Sequence, residues 1–202
     1  VIVLTVDQEA SRRVGDRVDA LLADLAPLRD RPGVVRPFER TVGDEVQAVL
    51  DDGEVAVDVA LGLLRRGGWS VGLGAGPVDE PLPASARAGG GPAFVRARDA
   101  VERAKTRTRP VPVAVTTGAD DRGRGCEAVL TLLGSVLARR TPAGWAVVDA
   151  LAALGPGATQ EDVARRLGVT QQAVSQRLRT AMWAEEAAVR PVVARLLEEG
   201  DR

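Results

Sequence analysis

The strongest constraint on the fold is the point at which strand patterns stop. Up to residue 117 the chain alternates β-branched runs with helical stripes. Beyond the polar, glycine-bearing stretch "TGADDRGRG" (117–125) every segment reads as helix. A boundary near residue 120 follows, dividing an α+β domain over 1–120 from an all-α domain over 121–202.

The first part opens on "VIVLTV", a continuous apolar run that reads as a buried strand. Over 11–28, Val14, Val18, Leu21, Leu22, Leu25 and Leu28 form one helical stripe, which "RPG" at 31–33 stops. "VVRPFERT" and "EVQAVL" then read as a hairpin turning at Gly43. "GEVAVDVALGLLRR" reads as a helix, "WSVGLGAG" as a strand whose small residues admit another backbone, "AFVRARDAVERAK" as a helix and "VPVAVTT" as a strand. The order βαββαβ, followed by αβ, predicts a ferredoxin-like or palm sheet with helices on one face. The second part is predicted as helices over 126–139, 143–154, 159–167 and 170–187, with a last one near 190–199 bent at Pro191.

Composition narrows the chemistry. The chain has no histidine and one cysteine, Cys126, which excludes a disulfide framework and a Cys/His zinc site. Cys126 itself reads as buried and inert. Any metal is expected to be a hard ion held by oxygen, such as Mg²⁺. A net charge of −1 gives no global pull on nucleic acid, so DNA binding needs a local basic patch. No apolar run is long enough for a bilayer and the opening residues do not read as a signal peptide, which gives the expectation of a cytoplasmic protein without membrane contact.

The most specific motif is "TQEDVARRLGVTQQAVSQRLRTA", 159–181. Thr159 caps a helix with Asp162 three residues on, small Ala164 admits a crossing helix, Gly168 ends the first helix and Thr170 caps the second. Val163, Leu167, Val174 and Leu178 point inward. These features predict a helix-turn-helix. Thr170, Gln171, Gln172, Ser175, Gln176, Arg177 and Arg179 are the candidate DNA contacts, because glutamine can bond adenine bidentately and arginine guanine. Four arginines (165, 166, 177, 179) and no acid lie between Ala164 and Ala184, a local basic surface. "AVSQRLRTA" resembles the helix-turn-helix of sigma-factor region 4. One such module makes few contacts, so pairing of two copies is expected.

In the predicted sheet, strands one and three are central neighbours. The end of the first strand therefore lies beside the hairpin turn, bringing Asp7 and Asp44 together although they are 37 positions apart. Two adjacent carboxylates repel unless a proton or a cation intervenes, and Mg²⁺ with substrate phosphates is a usual solution. Asp7 and Asp44 are thus candidate metal ligands. Ser11, Arg12, Glu45, Arg98 and Lys105, the only lysine, are candidate phosphate-binding groups. The plainer alternative has Asp7 capping a helix, Asp44 filling a turn, and Arg98 and Lys105 solvated.

"RTVGDEVQAVL" (40–50) resembles the metal-binding hairpin of class III nucleotide cyclases and GGDEF-type diguanylate cyclases, and "ARDAVERAK" is similar to the helix that closes the latter domain. The SatD family resembles the chain over more of its length. It pairs Asp7 and Ser11-Arg12 with Gly43 through Gln47, Gly72 with Gly74, and Gly91-Pro92-Ala93-Phe94 with Ala97-Arg98, ahead of a helix-turn-helix at 159–181. Val6, Gln8-Glu9 and Phe94 depart from the cyclase patterns. The resemblance implies a DNA-binding regulator; together with the paired modules and the carboxylate pair read above, the expectation is a homodimer on duplex DNA that senses a nucleotide with Mg²⁺ at the palm. The competing expectation is a metal-dependent nucleotidyl cyclase or nucleotidyltransferase. A palm kept only for dimerisation is the third.

Overall fold

Among the residues described by the computed structural model, 1–200, five strands form a single sheet: β1 (Ile2–Gln8), β2 (Val34–Arg40), β3 (Glu45–Leu50), β4 (Trp69–Ala75) and β5 (Val113–Thr116). Their order is β2-β3-β1-β4-β5. β1 runs antiparallel to β3 and β4, β2 antiparallel to β3, and β5 parallel to β4. The first four strands thus have the expected ferredoxin-like arrangement with β1 and β3 central, and β5 extends it past β4. Pro37 lies in β2, an edge strand with two register shifts, where a missing N–H costs the ladder least.

The helices are α1 (Ser11–Val14), α2 (Val18–Leu25), α3 (Gly53–Arg66), α4 (Pro92–Ala104), α5 (Asp120–Arg139), α6 (Pro142–Leu154), α7 (Gln160–Leu167), α8 (Gln171–Thr180) and α9 (Trp183–Glu199). The mixed α+β class, a sheet region followed by a helical region, is as expected. The expected one-sided cover of the sheet is corrected. α4 packs on the face that carries Val3, Thr5, Gly72 and Gly74. The alternating positions Leu4, Val6, Val71 and Leu73 are fully buried too, so both faces are covered. The unbroken apolar run of β1 is the physical sign of such two-sided burial.

Gly72 and Gly74 fix how near α4 lies. A Cβ on Gly72 would come within 2.3 Å of the Val101 amide, and one on Gly74 within 2.2 Å of the Ala97 amide. Close packing of helix on strand therefore accounts for the glycines of β4, as its small residues led one to expect.

The single helix expected over 11–28 is broken. Gln8 donates from Nε2 to the Gly15 carbonyl (2.5 Å) and accepts from the Arg17 amide (2.7 Å), while Asp16 accepts from the Val18 amide (2.8 Å). These bonds replace a helical turn, and Val14, assigned to the stripe, is 49% exposed. The stretch 117–125, expected as a linker, is helical from Asp120. Asp120 and Asp121 in the first turn favour the positive end of α5 and offset Gly123 and Gly125. The helix expected over 170–187 ends at Thr180, because Met182 takes φ 53°, and α9 then runs on through Pro191.

Two compact units result: Val1–Gly134 with the segment that begins at Arg190, and Ser135–Val189. The composition change near residue 120 coincides with the start of α5, and the units part further along. Within the first unit the returning segment is anchored by Arg190 to Asp58 (2.6 Å) and by Glu198 Oε1, which accepts from the Gly53 amide (2.9 Å). The last two positions of the helical domain expected over 121–202 lie outside the described residues. No described helix is long and apolar enough to cross a membrane.

Candidate functional site

In the second unit, α6, α7 and α8 pack around Val147, Ala150, Val163, Ala164 and Val174. Thr159 Oγ1 accepts from the Asp162 amide (3.2 Å) and Asp162 Oδ2 accepts from the Thr159 amide (3.0 Å), so the capping box is complete. The hydrogen bonds from Thr159 hold the Asp162 carboxyl below its ordinary range, with Arg165 adding to the effect. Gly168 adopts φ 65°, ψ 34°, the left-handed turn that reverses the chain between α7 and α8. Small Ala164 sits in the core, as crossing of the two helices requires.

This packing turns one face of α8 inward through Val174 and leaves Gln171, Gln172, Gln176 and Arg179 exposed. Ser175 and Arg177 are half-buried at the flanks. Thr170 is exposed, and its Oγ1 accepts from the Ala173 amide (3.2 Å) to cap α8. Arg165 is held by Asp162 (3.1 Å) and Glu161 (3.7 Å), whereas no described ion pair engages Arg166, Arg177 or Arg179. An exposed row of amides and free guanidiniums is a surface able to meet phosphates and base edges.

A fully buried ion pair, which sequence reasoning missed, stands at the end of α8. Arg140 donates to Glu186 (2.5 Å) and through Nε (3.1 Å) and Nη2 (2.8 Å) to the carbonyl of Ala181, the C-cap of α8. Its guanidinium stacks over Trp145, 4.4 Å from the ring centroid. Nη1 is the one described buried side-chain nitrogen or oxygen atom without a hydrogen bond. Nothing in the local pattern of "ARRTP" distinguishes Arg140, which is buried, from Arg139, which is exposed.

In the first unit, the β1–β3 pairing sets Asp7 opposite Glu45, and the Gln8 amide donates to the Asp44 carbonyl (3.2 Å). The expected approach of β1 to the hairpin turn is therefore present. The candidate phosphate groups divide between two clefts. Asp7 and Lys105 line one of about 680 Å³, with Arg13, Ser70, Arg107 and Arg109. Glu45 and Arg98 line another of about 300 Å³, with Arg87, Phe94 and Gly89 to Gly91. Asp44, Ser11 and Arg12 line neither. Arg98 in α4 and Lys105 at its C-cap, seven residues or about two turns apart, do not share a site.

Lys105 Nζ lies 2.9 Å from Asp7 Oδ2 and 2.8 Å from Glu102 Oε1. Burial pushes the Asp7 carboxyl above its ordinary range, and the Asp44 and Glu45 carboxylates push the same way; Lys105 only partly restrains it. Burial pulls the Lys105 ammonium down, but Glu102 and Asp7 outweigh it and hold the group above its ordinary value. The two shifts do not mirror each other because Lys105 meets two carboxylates, while Asp7 meets one ammonium and two like charges.

These donors do not fit a divalent cation as arranged. Asp7 already carries an ammonium on one oxygen, and Glu45 Oε1 accepts from Thr41 Oγ1 (2.5 Å). Among the described residues no three acids gather as a metal-binding group. Arg109 pairs with Glu127 of α5, which also accepts from Arg103 (2.8 Å) and from the Val115 amide (2.8 Å). Burial raises the Glu127 carboxyl, but these three donors outweigh it and hold it below the usual 4.5. Arg13, Arg107, Arg109 and Glu127 were not singled out from sequence. The alternating arginines of "TRTRP" (106–110), just before β5, were the available signal. Cys126 is fully buried, and burial pushes its thiol up to about 12, which leaves it unreactive.

Comparison with curated proteins and with solved structures finds no match. Residues 141–183 match the family model described as Sigma-70, region 4, a stretch that runs from the cap of α6 to the start of α9. Over those residues the chain thus carries a helix-turn-helix domain similar to the DNA-binding region 4 of sigma-70 factors.

Proposed function

We propose that the protein is a DNA-binding transcriptional regulator of the SatD type, which reads duplex DNA with α8 and senses a nucleotide in its sheet unit. The observation that carries this reading is the outward row of Gln171, Gln172, Gln176 and Arg179 on the second helix of a region-4-like motif, over a core closed by Val174. Such a helix enters the major groove, where glutamine and arginine discriminate base edges, while Arg166 at the end of α7 is free to meet a phosphate. A protein of net charge −1 that reads DNA through a single short helix makes few contacts, which favours a homodimer on paired half-sites.

Fluorescence anisotropy with labelled genomic duplexes across a salt series tests this reading. Binding is expected to weaken steeply with salt. Arg179→Ala is expected to lower affinity roughly tenfold or more and to flatten the salt dependence or relax base preference, according to whether Arg179 meets phosphate or base. Absence of any salt-sensitive duplex binding by the wild-type chain would overturn it.

A further inference from the structure

We propose that the Asp7–Lys105 cleft is a binding site for a phosphate-bearing anion that works without a divalent metal, Lys105 supplying the cation that the carboxylates would otherwise require. The inference deepens the sensing half of the function proposed above and rests on it; the DNA-binding half is independent. Four cationic side chains reach this cleft of about 680 Å³: Arg13 from α1, and Lys105, Arg107 and Arg109 from the end of α4 and the loop after it. Two of them are already matched, Lys105 by Asp7 and Glu102, and Arg109 by Glu127.

The other two are unmatched: among the described residues no ion pair engages Arg13 or Arg107, and both are exposed at the cleft. Among the described residues of its wall the acids are Asp7, paired with Lys105, and Glu9, whose Oε1 accepts from Ser70 Oγ (3.3 Å). The opening therefore presents two unpaired guanidiniums, each able to take two phosphate oxygens in its planar fork. The volume lies within the range of sites that hold a small ligand. A divalent ion would have to displace the Lys105 ammonium from Asp7, whereas an anion needs no such exchange and adds to the charge balance that Arg13 and Arg107 leave open.

Isothermal titration of the full chain in EDTA, with ATP and with inorganic triphosphate as separate probes, tests the site. Binding of either probe in EDTA is expected, weakening roughly tenfold or more in Arg13→Ala/Arg107→Ala, whose unfolding curve checks that the fold is kept. Comparable binding of the two probes assigns the site to the phosphate chain alone; ATP binding at least about tenfold tighter assigns it to a nucleotide. Binding that appears only when Mg²⁺ replaces EDTA, no binding at all, or binding unaltered in the double variant overturns the proposal. The same titration and anisotropy run in parallel on the wild-type chain separate the two readings: probe binding in EDTA without any salt-sensitive duplex binding overturns only the DNA-binding half, and duplex binding without probe binding overturns only this proposal.

Discussion

The two units handle charge in opposite ways. The helical unit hides one ion pair completely, Arg140–Glu186, and leaves the outer face of α8 unpaired. In the sheet unit the pairs Arg103–Glu127, Lys105–Asp7 and Arg109–Glu127 are partly exposed beside a cleft, and among the described residues no ion pair engages Arg13 or Arg107 there. The difference teaches where an ion pair acts as scaffold and where it acts as a site. Arg140 joins the C-cap of α8 to α9 and cannot be reached by a ligand. Lys105 joins the end of α4 to β1 at a cleft wall, where an incoming anion can share its charge.

The largest effect is expected where the contrast is greatest. Removing one partner of a fully buried pair leaves the other uncompensated, so Arg140→Met should cost the helical unit about 3–5 kcal/mol in urea unfolding. Arg140→Met/Glu186→Leu should recover most of that loss, because two apolar groups in place of a buried pair are often neutral. A double variant as unstable as the single would show that the pair does not act as a scaffold.

Glu127→Gln sharpens the other side of the comparison. Its three donors lose a charged acceptor, a cost of about 2–3 kcal/mol to the sheet unit at neutral pH. Because the folded carboxyl lies below the unfolded one, this stabilisation is present above about pH 4.5 and is lost as pH falls through the folded value. The difference between wild type and variant, measured by unfolding across a pH series, should shrink accordingly in acid. A difference independent of pH would mean that packing, and not charge, is what Glu127 supplies. The smallest effect belongs to the surface of the helical unit: Thr159→Ala removes the bond its hydroxyl accepts from the Asp162 amide and the one it donates to Asp162 Oδ2, and should cost about 1 kcal/mol in thermal unfolding.

The same contrast governs what could be read in advance. The helix-turn-helix was legible because its cap, turn and core positions lie within 159–181, each set by local backbone chemistry, and the capping box and left-handed Gly168 stand where expected. The order of the first four strands was legible from the succession of periods, whereas the place of β5 beyond β4 was not. The cleft was not, because Asp7, Arg13, Ser70 and Lys105 meet only through strand pairing and the seat of α4 on Gly72 and Gly74. Arg98 and Lys105, both candidate phosphate-binding groups, line different clefts.

Sequence by itself determined the alternation of elements, the change to all-helical character and the recognition motif, since these depend on neighbours within a few turns of chain. Only the tertiary structure decided which charges are neutralised. Ion pairing depends on distances of a few ångströms between residues as far apart in sequence as Asp7 and Lys105, or Asp58 and Arg190, whose separation is 132 positions.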